Sequence, residues 1–114
     1  MINIDDFKKL EIKIGLILSA EKVPETDKLL KLSVDMNEAT PRQIISGIAM
    51  YYPDLSVLVG KKCAFATNLE PRTIRGFESN GMILAVSTED GPDGQGKFSP
   101  LEVSADIPPG TAVK

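Results

Sequence analysis

The 114-residue chain has a formal net charge of −3, with 42% hydrophobic and 25% charged residues, which predicts one soluble globular domain. It contains no histidine and one cysteine, Cys63, so histidine-based catalysis and metal sites built from histidines or several cysteines are excluded within one chain. No run approaches the roughly 18 apolar residues of a membrane span, and the N-terminus is acidic. We therefore expect a cytoplasmic protein without a cofactor, and a buried, unreactive Cys63.

A short helix is predicted first, at residues 3–10, because Asn3 can cap it and Ile4, Phe7 and Leu10 recur at helical spacing. The hydrophobic period then changes to two in EIKIGLILSAE, which predicts a strand. Gly15 within this strand favours a bulge or a sharp bend. The apolar face of the strand is expected to consist of Ile12, Ile14, Leu16 and Leu18.

Four more strands are predicted after a turn or loop at residues 21–28. The second, LLKLSVDM, places Leu30, Leu32, Val34 and Met36 on one face. The third strand is RQIISGI, in which Ile44 and Ile45 are expected to be buried. The fourth strand is KKCAFAT, and the fifth is GMILAVS. The segment AMYYPDLSVLVG is ambiguous and can form one helical turn between the third and fourth strands. The segment NLEPRTIRGFESN, between the fourth and fifth strands, is expected to be a loop.

Five short strands with at most one helical turn between the third and fourth match the OB-fold, a five-stranded Greek-key barrel. We expect an all-β single domain over residues 1–114, with the barrel at about 11–87 and a C-terminal extension at about 88–114 that forms a short hairpin and a closing segment. OB-folds bind oligonucleotides through the strand 2–3 face and the loops after strands 1 and 4. The strand count alone leaves another small barrel open.

Charge is distributed unevenly along the chain. Residues 8–75 contain eleven Lys and Arg against eight Asp and Glu, whereas residues 76–114 contain two against six. A net negative charge argues against a nucleic-acid ligand, but the mildly basic middle of the chain coincides with the predicted barrel.

Several segments, in order, resemble one family. They are DFKKLEIKIGLI, AEKVPETDKLLKLSVD, RQIISGIA, LVGKK, NLEPRTIRGFESNGMILA and IPPGTAVK. Together they are similar to the tRNA-binding domain found at the C-terminus of many bacterial methionyl-tRNA synthetases and as a free-standing tRNA-binding protein. The resemblance covers roughly residues 6–114.

The resemblance implies an OB-fold with a C-terminal extension, no catalysis, and binding to the shape and backbone of tRNA with little sequence preference. It implies homodimerisation through the terminal segments, and tRNA and the catalytic part of methionyl-tRNA synthetase as partners. A sister branch of the fold is a chaperone related to protein export. Binding of unfolded peptides is therefore the alternative function.

The predicted RNA contacts follow from these segments. Arg75 matches the arginine of the family's RG pair, and Arg72 precedes it, although both could instead pair with Glu70 and Glu78. The family commonly has lysine at the position of Glu70 and a basic residue at that of Thr73, which predicts weaker binding here. The contacts are predicted to be Lys31, Arg42, Asn68, Arg72, Arg75, Ser79 and Met82.

Each remaining contact has a structural alternative. Ser79 and Met82 match the family's SxGM, but they can also hold a turn and begin a buried strand. Asn68 is equally suited to donating to RNA and to capping a turn. Lys31 and Arg42 can line the sheet face or simply be solvated. Aromatic residues are few, and Phe77 is the one expected to be exposed for stacking, which favours recognition of a folded RNA by shape.

Overall fold

The computed structural model describes residues 1–88 and 96–114. Within these residues the chain is nearly all β, with one α-helix, α1 (Ile4–Phe7), and two short 3-10 helices (Ala49–Tyr51 and Leu55–Val57). The strands are β1 (Ile12–Lys22), β2 (Leu30–Asp35), β3 (Arg42–Ser46), β4 (Lys62–Ala66), β5 (Arg72–Ile74), β6 (Phe77–Ser79), β7 (Met82–Ile83), β8 (Ala85–Ser87) and β9 (Phe98–Pro100).

Five antiparallel strands form a nearly closed barrel in the order β3-β2-β1-β4-β7. Its two edge strands, β3 and β7, also contact each other. This arrangement confirms the predicted OB-fold barrel. The core is apolar, and its fully buried large side chains are Ile17, Leu30, Leu32, Val34, Ile44, Leu58 and Phe65.

The predicted alternation of β2 and the burial of Ile44 and Ile45 are confirmed. Cys63 is also buried, as expected, and loss of solvation raises the pKa of its thiol to about 11. The thiolate is the reactive form of cysteine, so this side chain behaves as a small core hydrophobe.

The predicted apolar face of β1 is wrong beyond Ile14. Ile17 is fully buried and faces the core on the same side as Gly15, whereas Leu18 is 42% exposed. The pairing with β2 then shifts by one residue between Ile17 and Ser19. The extra residue of this bulge turns the following side chains to the opposite face. Gly15 lies outside the bulge and has another role. A Cβ atom there would lie 2.5 Å from Cγ1 of Val34, so glycine is needed for close packing of the strands.

The N-terminal helix is shorter than predicted. Asn3 caps it as expected, accepting a hydrogen bond from the Asp6 N–H at 2.8 Å, but the helix ends at Phe7 and none of its residues is buried. In the part of the chain that the structure describes, no helix has the length and apolar character needed to cross a membrane.

The predicted fifth strand divides at Leu84. The Leu84 N–H still donates to the Ala64 carbonyl of β4, whereas the Leu84 carbonyl accepts from the Leu101 N–H. Beyond this point β8 leaves the barrel and pairs with β9. Residues 89–95 of the predicted C-terminal hairpin lie outside the described residues. The closing segment returns to β1, where the Ile14 and Val113 N–H groups donate to the carbonyls of Thr111 and Ile12, respectively.

Candidate nucleic-acid interface

The segment between β4 and β7 was predicted to be a loop but contains a β-hairpin. Strands β5 and β6 pair in register, and Arg75 and Gly76 form a two-residue turn between them. Their φ angles are +52° and +84°, the signs required by a type I′ turn. This turn favours Asn-Gly, and a left-handed conformation costs an ordinary side chain about 1–2 kcal/mol. Arg75 therefore holds an exposed cation at the hairpin tip despite unfavourable backbone geometry.

Hydrogen bonds to β3 fix the base of this hairpin. The Ile45 N–H donates to Oγ of Ser79 at 2.9 Å, and Ser79 is only 3% exposed. The Gln43 side-chain amide donates to the Glu78 carbonyl at 3.0 Å, and the Asn80 N–H donates to the Gln43 carbonyl at 2.8 Å. Since these bonds join the hairpin to the barrel, its tip is held at a defined position beside the sheet.

Arg42 also forms hydrogen bonds where the hairpin joins the barrel. Its guanidinium donates to the two carboxylate oxygens of Glu38 at 2.8 and 2.9 Å, and to the carbonyls of Thr67 and Asn80 at 2.6 and 3.3 Å. The hydrogen bonds from Arg42 hold the pKa of Glu38 below its ordinary value, and those to Glu38 raise the pKa of Arg42. Arg42 thus joins the β2–β3 connection to both ends of the β4–β7 connection.

Asn68 fastens the N-terminal segment to the end of β4. Its side-chain oxygen accepts from the Glu11 N–H at 2.8 Å, and its amide donates to the Lys9 carbonyl at 2.7 Å. The neighbouring Thr67 hydroxyl donates to the Glu11 carboxylate at 2.6 Å, the main reason that the pKa of Glu11 is lowered. Both ends of the Asn68 amide are therefore used within the fold.

The other predicted contacts present groups to solvent. Arg72 and Arg75 are exposed, and no carboxylate in the described residues lies within 4.0 Å of either guanidinium. Met82 is 44% exposed. The pairing of the two arginines with Glu70 and Glu78, which the sequence left open, is absent from this structure.

The first loop of the barrel faces the hairpin tip. A cavity of about 460 Å³ is lined by residues 25–29 of the β1–β2 connection and by Arg75. On the outer face of β2 and β3, Lys31, Ser33, Pro41 and Gln43 help to line another cavity, of about 340 Å³. The ammonium of Lys31, which borders the second cavity, lies 5.0 Å from the centre of the Phe77 ring in the hairpin. The two loops and the sheet face through which OB-folds bind nucleic acid are thus adjacent here.

The seven predicted contacts fall into two groups. Lys31, Arg72, Arg75 and Met82 have solvent-accessible side chains around the hairpin and sheet face. Arg42, Asn68 and Ser79 are engaged in hydrogen bonds that hold the hairpin and the chain ends in place. Gln43 also belongs to the second group, although it was not among the predicted contacts. Its position after Arg42 on the polar face of the third strand was the available signal. Direct contact of any of these residues with RNA stays a prediction.

The Glu38–Arg42 pair predicts a pH-dependent stability. Because the folded pKa of Glu38 is below its ordinary value of 4.5, its contribution is present above that pH and is lost as the pH falls through the lowered pKa. We expect Glu38→Gln to be less stable than the wild type at pH 7, with a smaller difference at pH 3, in urea unfolding. Glu70→Gln, which removes an exposed carboxylate outside any described ion pair, should have the stability of the wild type at both pH values. An equal loss of stability in Glu38→Gln at the two pH values would show that the ionised Glu38–Arg42 pair is not its cause.

Comparison with known proteins identifies the family of the chain. The family model described as "Putative tRNA binding domain" matches residues 12–112. The methionine–tRNA ligase of Methanoregula boonei is 49% identical over 115 residues, an alignment that covers 100% of this chain and 16% of that enzyme. The chain thus spans about one sixth of the length of the curated relatives that it matches first.

Solved structures share the whole fold. A MetRS-related protein from Pyrococcus horikoshii superposes with a TM-score of 0.88 at 38% identity, over 100% of this chain and 98% of that one. The chaperone CsaA from Bacillus anthracis superposes with a TM-score of 0.81 over 100% and 99% of the two chains, at 24% identity, and this likeness concerns the fold alone. The family match over residues 12–112 and the 49% identity to a methionine–tRNA ligase together show that the chain belongs to the tRNA-binding domain family related to methionyl-tRNA synthetase.

Proposed function

We propose that the chain is a non-catalytic module that binds the backbone and shape of tRNA and increases the hold of a methionyl-type synthetase on its tRNA. The observation that carries this proposal is the hairpin tip. Arg75 is exposed at a strained turn beside the first loop, and no carboxylate of the described residues lies within 4.0 Å of its guanidinium. A guanidinium in that setting can pair bidentately with a phosphate.

The charges around the hairpin predict modest affinity. Lys28, Lys31, Arg72 and Arg75 surround the hairpin and first loop, but acidic side chains lie among them, namely Glu21, Glu25, Asp27, Glu70 and Glu78. Since phosphate contacts supply most of the sequence-independent affinity for nucleic acid, few uncompensated cations give weak binding. Attachment to a synthetase, or pairing of two modules, would make such a contact effective by raising its local concentration.

The terminal face supports the proposed homodimer. We use this name for Ile4, Phe7, Leu10, Ile12 and Val113, which line one apolar groove of about 260 Å³ with neighbouring residues. Ile4 is 63% exposed, and Phe7, Leu10 and Val113 are 38–42% exposed. A helix that buries none of its own residues and presents apolar side chains is expected to pack against a partner. In a two-fold symmetric dimer, this face would cover its own copy.

The dimer predicts a specific response to a charge on the terminal face. Phe7→Asp should convert a dimer into a monomer, because a carboxylate would be desolvated at the centre of the interface. Light scattering coupled to gel filtration at tens of micromolar protein measures the mass. Met50→Asp, which alters an exposed apolar residue outside this groove, should remain dimeric. A monomeric wild type, or a Phe7→Asp variant that stays dimeric, would refute the terminal face as the interface.

The salt dependence of tRNA binding tests the main proposal. If the module neutralises about three to five phosphates, log affinity should fall against log salt concentration with a slope of magnitude about 2 to 4. Gel shifts with several tRNAs that differ in anticodon should give similar affinities. No tRNA shift, a flat salt response or strong selectivity for one anticodon would reject backbone recognition by this surface.

Peptide binding remains the rival function to be tested. The β2–β3 connection and hairpin line a groove of about 620 Å³ in which most side chains are polar, including Thr40, Arg42, Gln43, Thr67 and Asn80. Unfolded polypeptides expose apolar side chains, so this polar surface favours RNA over a chaperone client. Suppression of the aggregation of a model protein, without any tRNA shift, would reverse that order.

A further inference from the structure

Phe77 differs from the other aromatic residues in its surroundings. Of the six aromatic residues, Phe65 is fully buried and Phe7 lies on the terminal face. Tyr51, Tyr52 and Phe98 form one cluster, with the Phe98 ring 4.2 and 5.9 Å from the two tyrosine rings. Phe77 is half-buried at the start of β6, next to the turn that presents Arg75. It is therefore the aromatic side chain placed beside the RNA-facing cations.

A single cation lies over the Phe77 ring. The Lys31 ammonium reaches it from β2 at 5.0 Å from the ring centre, within the range of a cation–π contact. The same ammonium is 3.9 Å from the Glu21 carboxylate, at the outer limit of an ion pair, and Glu21 is 64% exposed. Long, partly exposed pairs of this kind are weak. Lys31 is thus held over the ring by two replaceable contacts.

We propose that Phe77 and Lys31 form a site for one unpaired nucleobase and its phosphate. The base stacks on the face of the Phe77 ring, and the Lys31 ammonium moves from that face to the adjacent phosphate. This inference rests on the proposed function, because it names the part of the RNA that this surface would take. It adds a requirement that binding to phosphates does not contain, namely a nucleotide whose base is free to leave its helix.

The typical strengths of the two contacts favour replacement of the lysine by a base on the Phe77 ring. An exposed cation–π contact corresponds to about a two- to fivefold effect on an equilibrium, whereas stacking of one base on an aromatic side chain corresponds to about five- to 150-fold. The lysine regains an ionic partner when it reaches a phosphate, so its charge is not left unpaired. The cavity of about 340 Å³ beside Lys31 gives space for the nucleotide, and the cavity of about 460 Å³ beside Arg75 gives space for that side chain to approach the next phosphate.

The chain contains no tryptophan, so Phe77→Trp would introduce a single fluorescent reporter at the proposed site. Two RNA probes are compared with tRNA. One is a fully paired duplex, and the other is the same duplex with one bulged nucleotide. We expect quenching of the tryptophan by tRNA and by the bulged duplex, and none by the paired duplex. A tryptophan that stays unquenched under saturating tRNA, while the gel shift persists, would overturn the stacking site and leave the proposed function intact.

Phe77→Leu provides a second measurement that does not depend on the reporter. It should weaken binding of the bulged duplex about five- to 150-fold and leave binding of the paired duplex unchanged. Lys31→Met should lower the magnitude of the salt slope for the bulged duplex by about one. Equal losses of Phe77→Leu on both duplexes would show that Phe77 only supports the hairpin, which overturns the site. Absence of any tRNA shift by the wild type would reject the proposed function and this site with it.

Discussion

Replacement of Arg75 by asparagine is expected to stabilise the fold and at the same time to weaken tRNA binding. Arg75 and Gly76 both have positive φ in a two-residue hairpin turn, where asparagine followed by glycine is the favoured pair. Relief of the left-handed arginine should raise the free energy of unfolding by roughly 0.5–1 kcal/mol. Loss of a charge-assisted bond to phosphate, worth about 1.5–3 kcal/mol, should lower affinity by about 10- to 150-fold.

Urea unfolding and tRNA gel shifts at several salt concentrations measure the two effects separately. The weakening should be similar for every tRNA, and the salt slope should fall in magnitude by about one. Lys9→Asn removes one positive charge from an exposed side chain outside the hairpin and the terminal face, and is the matched control, with little effect on either quantity. If Arg75→Asn binds tRNA as well as the wild type does, the hairpin tip is not a phosphate contact.

Replacement of Ser79 by alanine is expected to reduce stability and tRNA affinity together. Oγ of Ser79 accepts the Ile45 N–H at 2.9 Å, and Ile45 is only 4% exposed. Without the hydroxyl this buried donor has no acceptor, which costs about 1–3 kcal/mol. The same bond joins β6 to β3, so its loss should also loosen the hairpin and allow Arg72 and Arg75 to move from their positions.

The stability and tRNA affinity of Ser79→Ala together distinguish a direct RNA contact of Ser79 from a role in the fold. A direct RNA contact predicts lower affinity with unchanged stability, whereas the role seen in the fold predicts that both fall. Ser87→Ala, which removes an exposed hydroxyl of β8, should change neither. Unchanged urea unfolding of Ser79→Ala with a weakened tRNA shift would favour the direct contact that the sequence suggested.

The candidate site could be predicted from sequence as a region but not as a set of contacts. The RG pair, the neighbouring Arg72 and Ser79 all lie in the connection between β4 and β7, where an OB-fold carries a binding loop, and Met82 begins β7. The hairpin within that connection was not predicted, because arginine is an unusual first residue of a type I′ turn. A polar residue such as Ser79 has the same appearance in a sequence whether its hydroxyl faces solvent or a buried N–H group.

The barrel itself was determined by local sequence patterns. Alternation in Leu30, Leu32, Val34 and Met36, together with the short apolar runs that follow, specified which faces are buried, since successive side chains in a strand point to opposite sides. The rule failed in β1, where Ile17 rather than Leu16 or Leu18 faces the core, and a bulge at Leu18 then changes the alternation again. The position of this bulge depends on the register with β2, which is a pairing between segments and leaves no period in the sequence.

The sequence by itself determined an apolar barrel, a buried Cys63, the absence of histidine chemistry and the membership of a tRNA-binding family. The tertiary structure decided which polar side chains are free. Arg42, Asn68 and Ser79 are satisfied by distant backbone groups, at sequence separations of 25, 57 and 34 residues. In the part of the chain that the structure describes, Arg72 and Arg75 have no such partners, and both are exposed on the hairpin. Hydrogen bonds between remote segments exist only after the chain has folded, so only the fold separates the residues that position the hairpin from those that it presents to solvent.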